Sequence, residues 1–166
     1  LNKLIETNWN YLMNEYPEWA TYVGVPGGDD RWSDNTLAAF ARREDETKAT
    51  AAALAKINKD KLTPSEKENL QLLAYNVDRE IRGIPFKDYL MPVSQLSGIH
   101  QDAASLMESA PSRNLKDFEN RLARLKALPK IIDENITLMN EGIKAGMTPP
   151  KITLRDVPGQ VKNLIT

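Results

Sequence analysis

His100 is the single histidine in 166 residues, and the chain has no cysteine. A zinc hydrolase site draws on clustered imidazole and carboxylate ligands, typically two histidines one helical turn apart with a glutamate general base between them. A serine triad needs a histidine base and a strand-borne nucleophile elbow. One imidazole completes neither pattern, and without thiols there is neither a disulfide nor a thiolate metal site. Gly27 and Gly28 run into Asp29 and Asp30, which repel phosphate, so no nucleotide loop is read there. Asp29, Asp30 and Asp34 supply part of an oxygen-donor set but lack the glycine and closing glutamate of an EF-hand loop, so turn and cap duty is expected of them. The residue types therefore predict no catalytic residue, no metal ligand and no cofactor within this chain.

Binding residues are easier to nominate. Arg31 beside Trp32 could stack a flat group or anchor a peptide, because both residue types are enriched where binding energy concentrates; the commoner alternative is a loop tryptophan folded over the helices. Gln95 can donate and accept as peptide recognition requires, and His100 follows Gly98 at the start of a helix. The alternative for both is that they satisfy buried backbone groups. Lys plus Arg number 22 against 23 for Asp plus Glu, so no field favours nucleic acid or an anionic membrane surface. No apolar stretch approaches the roughly 20 residues that span a bilayer and nothing at the start resembles a signal peptide, so the chain as given is expected to be soluble.

The elements that would carry these residues read as all-α, an irregular array or bundle of six to seven helices with one long irregular connection, in a single domain over 1–166. Leu1, Leu4, Ile5, Trp9, Leu12, Met13 and Tyr16 recur at spacings of three and four and predict a first helix with Trp9 in its core, closed by Pro17. The segment 17–32 reads as a loop with at most one helical turn near Trp19. Ser33 or Asp34 is expected to cap a second helix that buries Leu37, Phe40, Ala51, Leu54 and Ile57, with 42–46 as a solvated face of mixed charge. Thr63, Pro64 and Glu66 have the form of a capping box opening a third helix with Leu70, Leu73, Ala74, Val77 and Ile81 inward and Gly83 as its left-handed end. An extended connection over 84–98 precedes a short helix at 99–107. Asn114 caps the next, with Leu115, Phe118, Leu122 and Leu125 inward, a bend or restart at Pro129, then Ile132, Ile136, Met139 and Ile143. Leu154, Val157, Val161, Leu164 and Ile165 form an unfinished apolar face, which predicts self-association or a disordered carboxyl end.

Four segments in order, DDRWSD at 29–34, LTPSEKENLQLLAYNVDREI at 62–81, MPVSQLSGIHQDAASLM at 91–107 and FENRLARLKALPKIIDENITLMNEGIKAGMTPPK at 118–151, resemble the amino-terminal part of the bacterial domain of unknown function 885 family, helical proteins similar to zinc metallopeptidases. The specificity lies in the collinear set. In such proteins the histidines and glutamates resembling a zinc site lie downstream of this region, so no catalytic or metal residue is carried over. The resemblance implies that the chain, which begins with Leu1 and ends at Thr166, is the amino-terminal part of a longer protein. Its partner would be the carboxyl-terminal part of the same protein, its ligand a peptide and its role one wall of a substrate cleft, with zinc held elsewhere. An envelope or secreted location is expected, with the cytoplasm not excluded. The alternative is a free-standing helical binding or scaffolding domain.

Overall fold

The computed structural model describes residues 1–163. Every regular element among them is helical, and the only bridge of extended backbone among them joins Ser94 and Ser97. The chain divides into two compact units, Leu1–Leu12 with Leu37–Lys87, and Met13–Thr36 with Asp88–Thr166.

In the first unit, helix α3 (Leu37–Ala55) packs along α4 (Pro64–Gly83). Their core is Leu54, Leu70 and Val77, with Leu1, Leu4, Leu73, Ala74 and Ile81 around it. The period of α4 delivers its apolar side as expected. So does its start: Thr63 N donates to Glu66 Oε2 at 2.9 Å, and Glu66 N donates back to Thr63 Oγ1 at 3.3 Å. The Thr63 main-chain amide and hydroxyl, both donating to the Glu66 carboxylate, hold it below its ordinary value. Asp78 and Arg82 pair at 2.7 Å across one turn.

Three details differ. Gly83 is not left-handed, with φ −74°. Because Pro85 lacks the amide hydrogen that would continue the α ladder, the chain tightens into a 3-10 turn, Ile84–Phe86, and Lys87 takes the left-handed φ of 46°. The second helix opens at Leu37, not at Ser33 or Asp34; Asp34 Oδ1 instead accepts from Thr36 N at 2.9 Å. Arg43 is buried in the segment read as solvated, its guanidinium 5.0 Å from the Phe40 ring centroid. An arginine stem covers apolar surface readily, which charge counting overlooks.

Helix α1 (Asn2–Glu15) ends before Pro17 as its pattern predicts, but Trp9 is 40% exposed, not core. The helix buries Met13 and Glu15, and Leu1 and Leu4 pack against the core of the first unit, so Trp9 is the member of the predicted face left at its edge.

In the second unit, 17–32 is not simply a loop. Only Tyr16 separates α1 from helix α2 (Pro17–Val23), and Pro17 opens it from a position where its missing amide hydrogen costs nothing. Gly24 closes α2 at φ 77°. The connection before Gly98 is also more ordered than expected, with a 3-10 turn at Asp88–Leu90 and a tight turn closed by Ser94 N donating to Ser97 O at 2.9 Å. Helix α5 (Ile99–Ser109) touches α2, then α6 (Leu115–Lys144) and α8 (Val157–Asn163), with the single turn α7 (Lys151–Leu154) between the last two.

The largest correction concerns α6. It is one 30-residue helix that passes through Pro129. Its buried positions are Arg124, Ile131, Asn135, Leu138 and Gly142. The apolar stripe expected inside is outside: Leu115 is 76% exposed, Phe118 54%, Leu122 51%, Leu125 49%, Ile132 40%, Ile136 45% and Ile143 64%. Of the expected face on the last segment, Leu154, Val157 and Val161 lie in or beside α7 and α8, while Leu164 and Ile165 fall outside the described residues.

Candidate functional site

Arg124 organises the second unit. Its side chain is wholly buried. Nε donates to Arg31 O at 2.9 Å, and Nη2 donates to Gly28 O at 2.8 Å, to Thr21 Oγ1 at 2.7 Å and to Pro17 O at 3.2 Å. Its own carbonyl accepts from Trp32 Nε1 at 2.9 Å. Burial lowers the guanidinium pKa, and the nearby charges of Asp29, Glu18 and Asp30 oppose that shift. An arginine stays charged through such a perturbation. One cation thus ties α2, through Pro17 and Thr21, and the turn 24–31 to α6.

Beside this anchor lies a groove of about 420 Å³. Rings of Tyr16, Trp19, Tyr22 and Trp32 line it together with the carboxylates of Glu18 and Asp102 and the amides of Asn35 and Asn135. Glu18 fixes the rim, since Ser33 N donates to its Oε1 at 2.8 Å and Ser33 Oγ to its Oε2 at 2.5 Å. Glu134 does the same one step along, accepting from Asn35 N at 3.0 Å. Asp102 Oδ2 accepts from Gly98 N at 3.2 Å. Gly98 is required there: at φ 132°, a Cβ would stand 3.0 Å from Pro92 O and 3.2 Å from His100 Nδ1. Trp19 and Tyr22 remain 40% and 53% exposed. Aromatic faces, amides that both donate and accept, and two negative charges suit a peptide carrying an amine or a basic side chain.

The four residues nominated for binding do not converge. Trp32 lines the groove. Arg31 is at the surface, donating to Asn14 Oδ1 at 3.2 Å and lying 3.9 Å from Asp30. His100 is buried, with Nε2 at 3.1 Å from Gln160 Oε1, and lines a different groove, against α8. Gln95 contributes through its backbone: its carbonyl accepts from Gln101 Nε2 at 2.9 Å and Gln160 Nε2 at 3.1 Å, and its amide donates to Thr153 O at 2.8 Å. Asp29 and Asp34 serve Thr21 and the Thr36 amide, as turn chemistry predicts.

A family model described as "Bacterial protein of unknown function (DUF885)" matches residues 17–166, which contain every element of the groove except Tyr16. The chain belongs to this family. No curated protein matches it. The family assignment agrees with the collinear segments quoted above, and Trp32 is the one groove residue that the sequence nominates for binding. Trp19 and Tyr22 had a usable signal, aromatic residues on a segment opened by proline at a first helical position. Arg124 had none, sitting in a string of basic and apolar residues that reads as ordinary helix surface. The residues present do not fit a zinc site: among the described residues no three of His, Cys, Asp and Glu are grouped to hold a metal ion.

Proposed function

We propose that this chain is the amino-terminal helical part of a bacterial peptidase-like protein and that its aromatic groove is a stretch of substrate-cleft wall. The observation that carries the reading is the groove itself, four rings with Glu18 and Asp102 on a scaffold pinned by Arg124. Its negative lining favours peptides with a free amine or a basic residue. Any zinc would be held by residues outside this chain, which carries a single histidine and no cysteine. An envelope location follows from the same family resemblance, and fractionation of the native host would place it.

The test is binding. Short peptides with a lysine flanked by apolar residues should shift the tryptophan fluorescence of the isolated chain, and Trp19→Ala and Asp102→Asn should each weaken binding roughly tenfold, the loss expected for one stacking or one charge-assisted contact. Identical affinity in both variants, with folding intact, would remove the groove from the mechanism. A second reading, a free-standing binding or scaffolding domain, draws on the exposed stripe of α6; the length of the native reading frame separates the two.

A further inference from the structure

The outward stripe of α6 has a regular spacing. Leu115, Phe118, Leu122, Leu125, Pro129, Ile132, Ile136, Met139 and Ile143 alternate steps of three and four without a break. That is the seam of a two-helix coiled coil sustained over four heptads. A surface helix that needs solubility alone would not hold this register on its outer side.

We propose that α6 pairs antiparallel with α6 of a second copy of this chain. Charge selects both the occupant and the register. The row flanking the seam on its exposed side reads Glu119, Lys126, Asp133, Asn140. Lys126 and Asp133 are exposed and have no ion pair within the chain among the described residues. A parallel pairing sets this row against Arg121, Leu128, Asn135 and Gly142, which offers it no ion pair: Arg121 donates to Met107 O within its own chain, and Asn135 and Gly142 are buried. One antiparallel register sets Glu119 against Asp133 and Lys126 against itself. Shifting by one heptad sets Lys126 against Asp133, twice by the two-fold axis, and leaves Glu119 facing neutral Asn140.

Shape agrees with that register. It places Leu122 opposite Met139, Leu125 opposite Ile136 and Pro129 opposite Ile132, with Phe118 opposite Ile143. The carboxyl-terminal half of the seam is hollowed: Ile132, Ile136 and Met139 join Leu154, Val157 and Val161 around an apolar groove of about 350 Å³. Leu122 and Leu125 of the amino-terminal half are about half exposed, and in this register they meet Met139 and Ile136 on the wall of the partner's groove. From Phe118 to Ile143 the seam runs roughly 38 Å at 1.5 Å per residue.

The experiment is sedimentation velocity on the whole 166-residue chain, with thermal melting as the control for folding. The wild type should dimerise with rising concentration, and Leu122→Glu or Ile136→Glu should leave a monomer of unchanged melting temperature. Lys126→Asp and Asp133→Lys should each weaken the dimer roughly tenfold, and the double reversal should restore it. These two positions are exposed, so the charge test survives even if a seam variant fails to fold. A wild type that stays monomeric at millimolar concentration overturns the proposal. So does a dimer indifferent to Leu122→Glu, a double reversal no tighter than the single ones, or a seam shielded only when a different polypeptide is added.

Discussion

Arg124→Ala should be among the most damaging single substitutions in this chain. The guanidinium makes four hydrogen bonds, three to main-chain carbonyls and one to a hydroxyl, all in a site sealed from water. Hydrogen bonds to a charged group contribute about 1.5–3 kcal/mol each, but they share one group and are not additive, so the sum overstates the loss. Removing the Arg124 donor from the Arg31 carbonyl, and one of two donors from the carbonyls of Pro17 and Gly28, together with the cavity of a removed side chain, gives a cost of about 3–5 kcal/mol. At about 2–4 °C per kcal/mol for a chain of this size, the melting temperature should fall by roughly 6–20 °C. Arg124→Lys should recover only a part, since one ammonium cannot reach four acceptors in the geometry of a planar fork. Circular dichroism gives the melt, and tryptophan emission reports separately on Trp32, whose indole donates to the Arg124 carbonyl. A melt of Arg124→Ala within two or so degrees of wild type, on the same scale, would refute the reasoning.

Gly142→Ala should destabilise by about 1–3 kcal/mol although alanine favours helix, because the new Cβ would stand 2.7 Å from both Leu90 O and Met147 O; denaturant unfolding checks it. His100→Ala should lower the melting temperature by several degrees through the lost Gln160 contact, whereas Gln95→Ala should leave it within about a degree, since the backbone of Gln95 makes the bonds. Glu66 is held below its ordinary value of 4.5 by Thr63, so its contribution to α4 is fully present above that value and is lost as pH falls through the depressed folded value; carboxyl NMR titration with amide exchange at Glu66 and Lys67 follows it, and Thr63→Ala should reduce the pH dependence without abolishing it, since the main-chain amide of residue 63 still donates to the carboxylate. Metal analysis and a peptide-library assay on the isolated chain should find no stoichiometric zinc and no hydrolysis, given one histidine and no cysteine.

Local chemistry was legible and orientation was not. The Thr63 box, the Asn114 cap and the apolar side of α4 follow from side chains acting within one turn, so neighbours in sequence suffice to read them. Pro17 misled because proline both stops one helix and opens another, and only the geometry at Tyr16 tells which. The stripe of α6 misled for a different reason: periodicity finds an amphipathic face but cannot say what that face meets. The inward side, Arg124, Ile131, Asn135, Leu138 and Gly142, keeps helical spacing too, but mixes a cation, an amide and a glycine among two aliphatics, and a hydrophobicity pattern discounts it. Gly142, in the last turn of α6, could be read as a helix end as readily as a close backbone approach. In the groove, Trp32 was nominated by residue type alone, while Asp102 and Asn135 reach it by tertiary folding that no spacing in the sequence announces.

The anchor on α6 also sets an order of events during synthesis. Thr21 and the carbonyl of Pro17 leave the ribosome long before their partner, for Arg124 follows 103 and 107 positions later. At about 5–20 residues per second, α2 and the turn after it wait roughly 5–20 s for the guanidinium that holds them. During that interval Trp19, Tyr22 and Trp32 have no scaffold. The nascent amino-terminal segment is then a natural client for a holding chaperone, and slowing translation ahead of Arg124 would lengthen its exposure, a property of the chain's timetable that its finished fold conceals.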